Sequence, residues 1–211
     1  MTKGKLIVVS GPSGIGKDTV VAEYLKRNDA YKSISCTSRK IREGDIPDKT
    51  YHFITKEEFE NKIKNGELLE YTIYNNNYYG TLKREVEKDL DNGYDVILEI
   101  DIQGALAIKN KKVDGIFIFI MPPSMRELRD RLVKRGTETK DKIIERFKNA
   151  YKEINAISKY NYVVINDEVE KAVVKVEAIM LAERCRVDRL EEFEVNNEEE
   201  LIHELLTDFN K

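Results

Sequence analysis

The strongest constraint on this chain lies near its start. Lys5-Leu-Ile-Val-Val-Ser10 is a short β-branched run, Gly11-Pro-Ser-Gly-Ile-Gly16 is a glycine-rich turn, and from Lys17 onward apolar residues recur at helical spacing through Val20, Val21, Tyr24 and Leu25. Strand, turn and helix in that order make the opening half of a βαβ unit. Gly11, Pro12, Ser13, Gly14, Ile15, Gly16 and Lys17 fill the first seven positions of the P-loop pattern. Its glycines let the backbone wrap closely round a phosphate and turn several N–H groups inward. The helix that follows adds its positive end, and Lys17 reaches the β and γ oxygens of a nucleoside triphosphate. A tight turn with an exposed lysine is the bland alternative, and the strand before and helix after it speak against that. One position departs from the pattern. Where a Ser or Thr hydroxyl usually meets magnesium stands Asp18, followed by Thr19.

Further apolar runs, Val96–Ile100, Ile116–Met121 and Tyr162–Ile165, read as buried parallel strands. Helix starts are signalled by Ser124 with Glu127 and by Asp167 with Glu170, a cap residue answered by an acid three positions on. Alternating strands and helices predict an α/β fold, a parallel sheet covered by helices on both faces. Two stretches break the rhythm. Residues 33–92 are polar and tyrosine-rich, β-like over Ser33–Thr37 and Leu68–Ile73, with a helix begun by Thr55 and Glu58. Residues 129–155 are dense in Arg and Lys and poor in large apolar groups. Such insertions on a rigid core usually carry substrate contacts and moving parts.

Composition narrows the function classes. A hydrophobic content of 41% with 36% charged residues is that of a soluble globular chain. No apolar window approaches a membrane span, and Leu6–Val9 is too short for a signal peptide, so a cytoplasmic protein without membrane contact is expected. Cys36 and Cys185 are too few and too far apart for a disulfide framework or zinc site. The net charge of −3 argues against a general nucleic-acid binder. It is unevenly spread, because Asp188–Lys211 holds nine acids against Arg189 and Lys211, leaving the body at +4, a sign suited to anionic ligands. In that tail Leu201, Ile202, Leu205, Leu206 and Phe209 make one helical stripe after a cap-like Asn197, which suits packing against its own domain or a twin subunit in a homodimer.

Beyond the P-loop the chain resembles the guanylate kinase family. The resemblance rests on the Gly-Pro-Ser-Gly opening and on Ser35-Cys-Thr-Ser-Arg39-Lys-Ile-Arg42-Glu-Gly44 running on to Tyr51-His-Phe53. It continues through Glu70, Asn77-Tyr-Tyr79-Gly-Thr81, Glu99-Ile-Asp101-Ile-Gln-Gly104 and Arg131-Leu-Val-Lys-Arg135-Gly-Thr-Glu138. These motifs occur in order from about Lys5 to about Arg186. The resemblance implies a P-loop kinase with an inserted nucleotide-monophosphate-binding subdomain and a helical lid. The core would comprise 1–32, 93–128 and 156–190, the GMP-binding insert 33–92, the lid 129–155, and an acidic extension 191–211. It implies phosphoryl transfer from ATP to GMP, giving ADP and GDP, with magnesium accompanying ATP.

The same resemblance distributes the roles. Gly11 to Thr19, with Asn166 near the adenine, would bind ATP. Arg39, Arg42, Tyr51 and Tyr79 would hold the acceptor phosphate through forked and hydroxyl hydrogen bonds. Glu70 would accept from the guanine N1–H and N2 amino group, with Ser35, Thr81, Glu99 and Asp101 completing the acceptor site. Lys17, Arg42 and the lid arginines Arg135 and Arg146 would stabilise the transferring group, and Asp18 would be the protein's contact to the metal. Lys140 stands where the family often has an acid and Asp45 where a glutamate is usual, both read as tolerated variations. Two other functions stay open on these residues. Gly-Lys-Asp also resembles the ribose bisphosphate phosphokinases, and a non-catalytic guanylate-kinase-like interaction module would share the fold. The bland alternative for Arg131, Arg135 and Arg146 is a solvated helical face, and the surrounding motifs speak against it. His52 and His203 read as structural.

Overall fold

The protein is described by a computed structural model covering residues 3–134, 140–187, 202, 203 and 206. The chain divides into two compact units, Met1–Glu177 and Ala178–Lys211, and the first holds both sheets. Most of the C-terminal stripe, and Arg135 with it, lies outside the described residues.

In chain order the elements are β1 (Leu6–Ser10), α1 (Lys17–Arg27), β2 (Ala30–Lys32), β3 (Cys36–Thr37), β4 (His52–Phe53), α2 (Lys56–Lys64), β5 (Leu68–Tyr74) and β6 (Asn77–Leu82). They continue with α3 (Lys83–Asp91), β7 (Asp95–Glu99), α4 (Ile102–Asn110), β8 (Ile116–Met121), α5 (Met125–Lys134), α6 (Lys140–Ile154), β9 (Tyr162–Ile165) and α7 (Val169–Arg184). The main sheet has the order β2-β7-β1-β8-β9, parallel throughout. Its three central strands are buried along nearly their whole length, which is why they read as unbroken apolar runs rather than alternating ones. On one face Val8, Leu98 and Phe117 meet Val86 and Leu90 of α3 and Ala105 and Ile108 of α4. Because every strand runs the same way, their C-terminal ends open on one edge, where ligands of such sheets gather.

A second sheet, order β4-β3-β6-β5, is built between β2 and β7. It has its own small core of Cys36, Phe59 and Leu68, flanked by Ile54, Ile63, Tyr78 and Leu82. Thr55 and Glu58 form a complete capping box at the start of α2, as their spacing predicts. The β5–β6 hairpin reverses through Asn75 and Asn76, whose φ values of 48° and 60° match the paired positive angles a two-residue turn requires.

Three expectations need correction. Of the β-like run Ser33–Thr37 only Cys36–Thr37 is strand, and the short edge strand β2 lies just before it. The cap read at Asp167 is displaced, since α7 begins at Val169 and Glu168 is the residue before it. Ser124, by contrast, does accept from the Glu127 N–H at 3.1 Å. The basic stretch 129–155, read as poor in large apolar groups, nevertheless helps to close a cluster of its own. Leu128, Leu132 and Ala150 are buried there with Met125, Ile143 and Phe147 around them.

Candidate active site

The phosphate cradle begins where β1 ends. Gly11, Gly14 and Gly16 have φ values of 152°, 89° and 84°, angles open to glycine and costly for other residues. Close approach adds to this, for a Cβ on Gly11 would stand 2.3 Å from the Ile120 carbonyl oxygen. The Lys17 ammonium folds back onto the Gly11 and Pro12 carbonyls at 2.9 and 3.4 Å. Burial lowers its pKa, and the carboxylates of Glu99, Glu153, Asp18 and Asp101 act against that shift. Asp18 and Thr19 are exposed on the first turn of α1.

Beside the loop lies a cleft of about 320 Å³ lined by Gly14, Ile15, Gly16, Thr19, Arg131, Asn166 and neighbouring residues. Asn166, only 4% exposed, donates its amide to the Ile15 carbonyl at 2.8 Å. Arg131 reaches from α5 to the carbonyls of Ile15 and Asn166 at 3.3 and 3.0 Å, so it ties the phosphate loop to the end of β9. Arg131 is thus a brace rather than a solvated face. Arg146 of α6 donates to the Ser13 hydroxyl at 2.7 Å. Glu153, on the same helix, faces the Ser13 N–H and the Lys17 ammonium; burial pushes its carboxyl up, and those two groups oppose the shift. Helix α6 therefore meets the phosphate loop at its exposed serine.

The second group of residues sits on the inserted sheet. Glu70 on β5 is 4% exposed and pairs across the hairpin with Thr81, whose hydroxyl donates to it at 2.7 Å. Burial pushes the Glu70 carboxyl up to about 7; the Thr81 hydroxyl works against that and the Asp101 charge adds to it. Arg39, 8% exposed, forms a two-toothed ion pair with Asp45 at 2.6 and 2.9 Å, while Tyr51 and Phe53 lie under its guanidinium at 5.0 and 5.3 Å. Asp45 also accepts from the Arg42 backbone N–H at 2.7 Å, and the pair with Arg39 holds its carboxyl down to about 2. Arg42 is exposed beside this pair, Tyr51 and Tyr79 rings approach to 5.9 Å, and Ser35 is half-buried before β3. Glu99 ends β7 and is held by Lys32 at 2.5 Å. Asp101 caps α4 by accepting from the Gly104 N–H at 2.8 Å, and its other oxygen accepts from the Thr72 hydroxyl of β5 at 3.0 Å.

A model of the guanylate kinase family matches residues 3–183 of this chain. The chain belongs to the guanylate kinase family. It is 56% identical to a guanylate kinase of Clostridium tetani over 99% of this chain and 100% of that protein. It is 50% identical to one from Clostridium acetobutylicum over 98% of this chain and 99% of the other. Among solved structures, guanylate kinase from Anaplasma phagocytophilum superposes with a TM-score of 0.74 at 33% identity, covering 90% of each chain.

Within this guanylate kinase fold, several residues escaped the sequence reading. Asp45, read as a tolerated variation, is the anchor of Arg39; its place three residues after Arg42, across a turn containing Gly44 with φ 87°, was the available signal. Lys32, Thr72 and Glu153 carry no motif and act only because distant segments meet. For Arg135 the structure adds nothing, since it lies outside the described residues.

Proposed function

We propose that this chain transfers the γ-phosphoryl group of ATP to GMP through the residues just placed. One observation carries the reading, the Glu70 carboxylate buried in the inserted sheet and held there by the Thr81 hydroxyl. Guanine presents two adjacent donors, N1–H and the N2 amino group, and a carboxylate accepts both, whereas adenine offers no such pair there. Glu70 is the acceptor of that edge, Thr81 orients it, and Ser35 and Asp101 flank it. Arg39, Arg42, Tyr51 and Tyr79 bind the acceptor phosphate, and Glu99 with Lys32 borders its path. On the donor side the loop Gly11–Thr19 holds the triphosphate, with Asn166 and Arg131 shaping the nucleoside cleft.

Phosphoryl transfer asks little covalent chemistry of the protein. Lys17 neutralises charge on the β and γ oxygens, and Arg146, with Arg135 on the same lid segment, follows the charge as it shifts to the leaving group. The two substrates are aligned and water is kept out as the inserts close. Magnesium fits this donor set as a partner of ATP. Among the described residues no cluster of three ligating side chains is present, while Asp18 offers one exposed anionic oxygen at the mouth of the loop. The ion would take most of its oxygens from phosphates and water, and supply charge neutralisation there. Thr19 lines the nucleoside cleft instead.

Ribose bisphosphate presents no paired N–H donors, so Glu70 would have no task in a kinase for that substrate. A non-catalytic module would have no need of a lysine inside an intact cradle. We further place the protein in the cytoplasm, in purine nucleotide metabolism, with the core, insert and lid bounded at 33–92 and 129–155. The test is phosphoryl transfer to GMP, AMP and ribose 1,5-bisphosphate measured side by side. Turnover restricted to GMP is expected; equal or better turnover of either other acceptor would overturn the reading.

A further inference from the structure

Gly104 stands at the third residue of α4, a position where alanine ordinarily serves a helix better. A Cβ built there would lie 2.5 Å from Glu70 Oε2 and 3.1 Å from its carboxyl carbon, with Ile100 Cδ1 at 3.4 Å. The helix backbone thus passes directly against the buried carboxylate. That carboxylate cannot simply swing aside. Its other oxygen accepts from the Thr81 hydroxyl at 2.7 Å, and the side chain is enclosed on nearly every side. The Gly104 N–H is bound to Asp101 at 2.8 Å, so the helix is pinned at the same residue. Two fixed bodies meet with room for a hydrogen and no more.

We infer that Gly104 is a specificity-positioning residue: its missing side chain is the gap that lets Glu70 hold the orientation in which it meets guanine. It acts through Glu70 and touches no substrate, and the inference rests on Glu70 being the guanine acceptor. A methyl at this position pushes Oε2 back, breaks the Thr81 contact or tilts α4 off its cap, and in each case acceptor binding suffers while the ATP side, built on β1 and α1, is untouched.

The experiment is Gly104→Ala, with KM measured separately for GMP and ATP. The expected result is a GMP KM raised about tenfold or more and an ATP KM within about twofold of the parent. Repeating the substitution in a Glu70→Asp background, where the carboxylate is one methylene shorter, is expected to shrink the effect of the added methyl. A GMP KM within about twofold of the parent, a parallel rise for both substrates, or an equal effect in both backgrounds overturns the inference. If Gly104→Ala fails to fold, the double variant decides, since shortening Glu70 must restore folding if the carboxylate is what the methyl meets. Glu70→Gln separates the two readings. If it leaves GMP efficiency intact, the assignment of Glu70 fails; if it impairs GMP while Gly104→Ala does not, only the role of Gly104 fails.

Discussion

Glu70 and Asp45 are both carboxylates beside the proposed acceptor site, and their surroundings give them opposite proton chemistry. Glu70 is raised to about 7 chiefly by burial, Asp45 lowered to about 2 chiefly by Arg39. Only the ionised form of Glu70 accepts from both guanine donors, so the share of GMP binding proposed for it should be present above pH 7 and fade below it. Hydrogen bonds to a charged acceptor are worth about 1.5–3 kcal/mol, so Glu70→Gln should lower GMP efficiency roughly ten- to a hundredfold at pH 8. The gap between parent and variant should narrow toward pH 5, when the two are titrated with GMP across that range. Stability moves the other way. A carboxyl whose pKa is raised by folding stabilises the fold while protonated and loses that contribution as pH climbs through 7. Thermal melts should therefore show Glu70→Gln more stable than the parent at pH 8 and little different at pH 5. Asp45→Asn should also raise the GMP KM, by about tenfold through loss of the charged anchor of Arg39. Its effect should stay flat from pH 5 to 9, because Asp45 takes up no proton there. Asp18 calls for a different measurement. If it contacts magnesium directly or through water, ATP affinity depends more steeply on magnesium in the parent than in Asp18→Ser; equal dependence in the two would show that it serves only as an acid at a helix N-terminus.

The legible elements are those whose pattern is repeated by local physics. The buried parallel strands β1, β7 and β8 and the loop after β1 could be read directly, because burial on both faces leaves continuous apolar runs and the phosphate turn demands glycine. The capping box of α2 is equally local. What escaped is short or cooperative. β2 has three residues and β4 two, and they are strands only because a neighbour supplies the hydrogen bonds. β6, with Tyr79 and Thr81 on it, alternates too weakly to read as a strand, and its partner β5 defines it. The candidate recognition residues were proposed from resemblance, whereas the ion pair that sets Arg39 and the brace from Arg131 became visible only once the chain was folded. The α5 and α6 helices show why. Their basic surface hides a small apolar cluster that positions Arg146 over Ser13. Removing Arg146 as alanine should lower kcat far more than it raises the KM for either nucleotide, by about a thousandfold if it follows the developing charge as other such arginines do. Steady-state kinetics with each nucleotide varied in turn reads this split.

At the scale of the whole unit, two segments proposed to bear the substrates stand on one parallel sheet. Distances between labels on the β5–β6 hairpin and on α6 should shorten when GMP and a non-hydrolysable ATP analogue are both present, and less with either alone. Cys185 is exposed and would be replaced first, while Cys36 is buried and can stay. An unchanged distance distribution at saturation would mean that the two segments do not close. The insert leaves the sheet after β2 and returns before β7, and these two strands are hydrogen-bonded neighbours. Its exit and entrance are therefore adjacent, and it carries a sheet and a core of its own. Yet Leu69, Val86 and Leu90 of that cassette are packed into the same core as Val8, Leu98 and Phe117 of the main sheet, so a lineage could vary the outer sheet freely only while keeping this buried seam, and the insert and the sheet beneath it are inherited together.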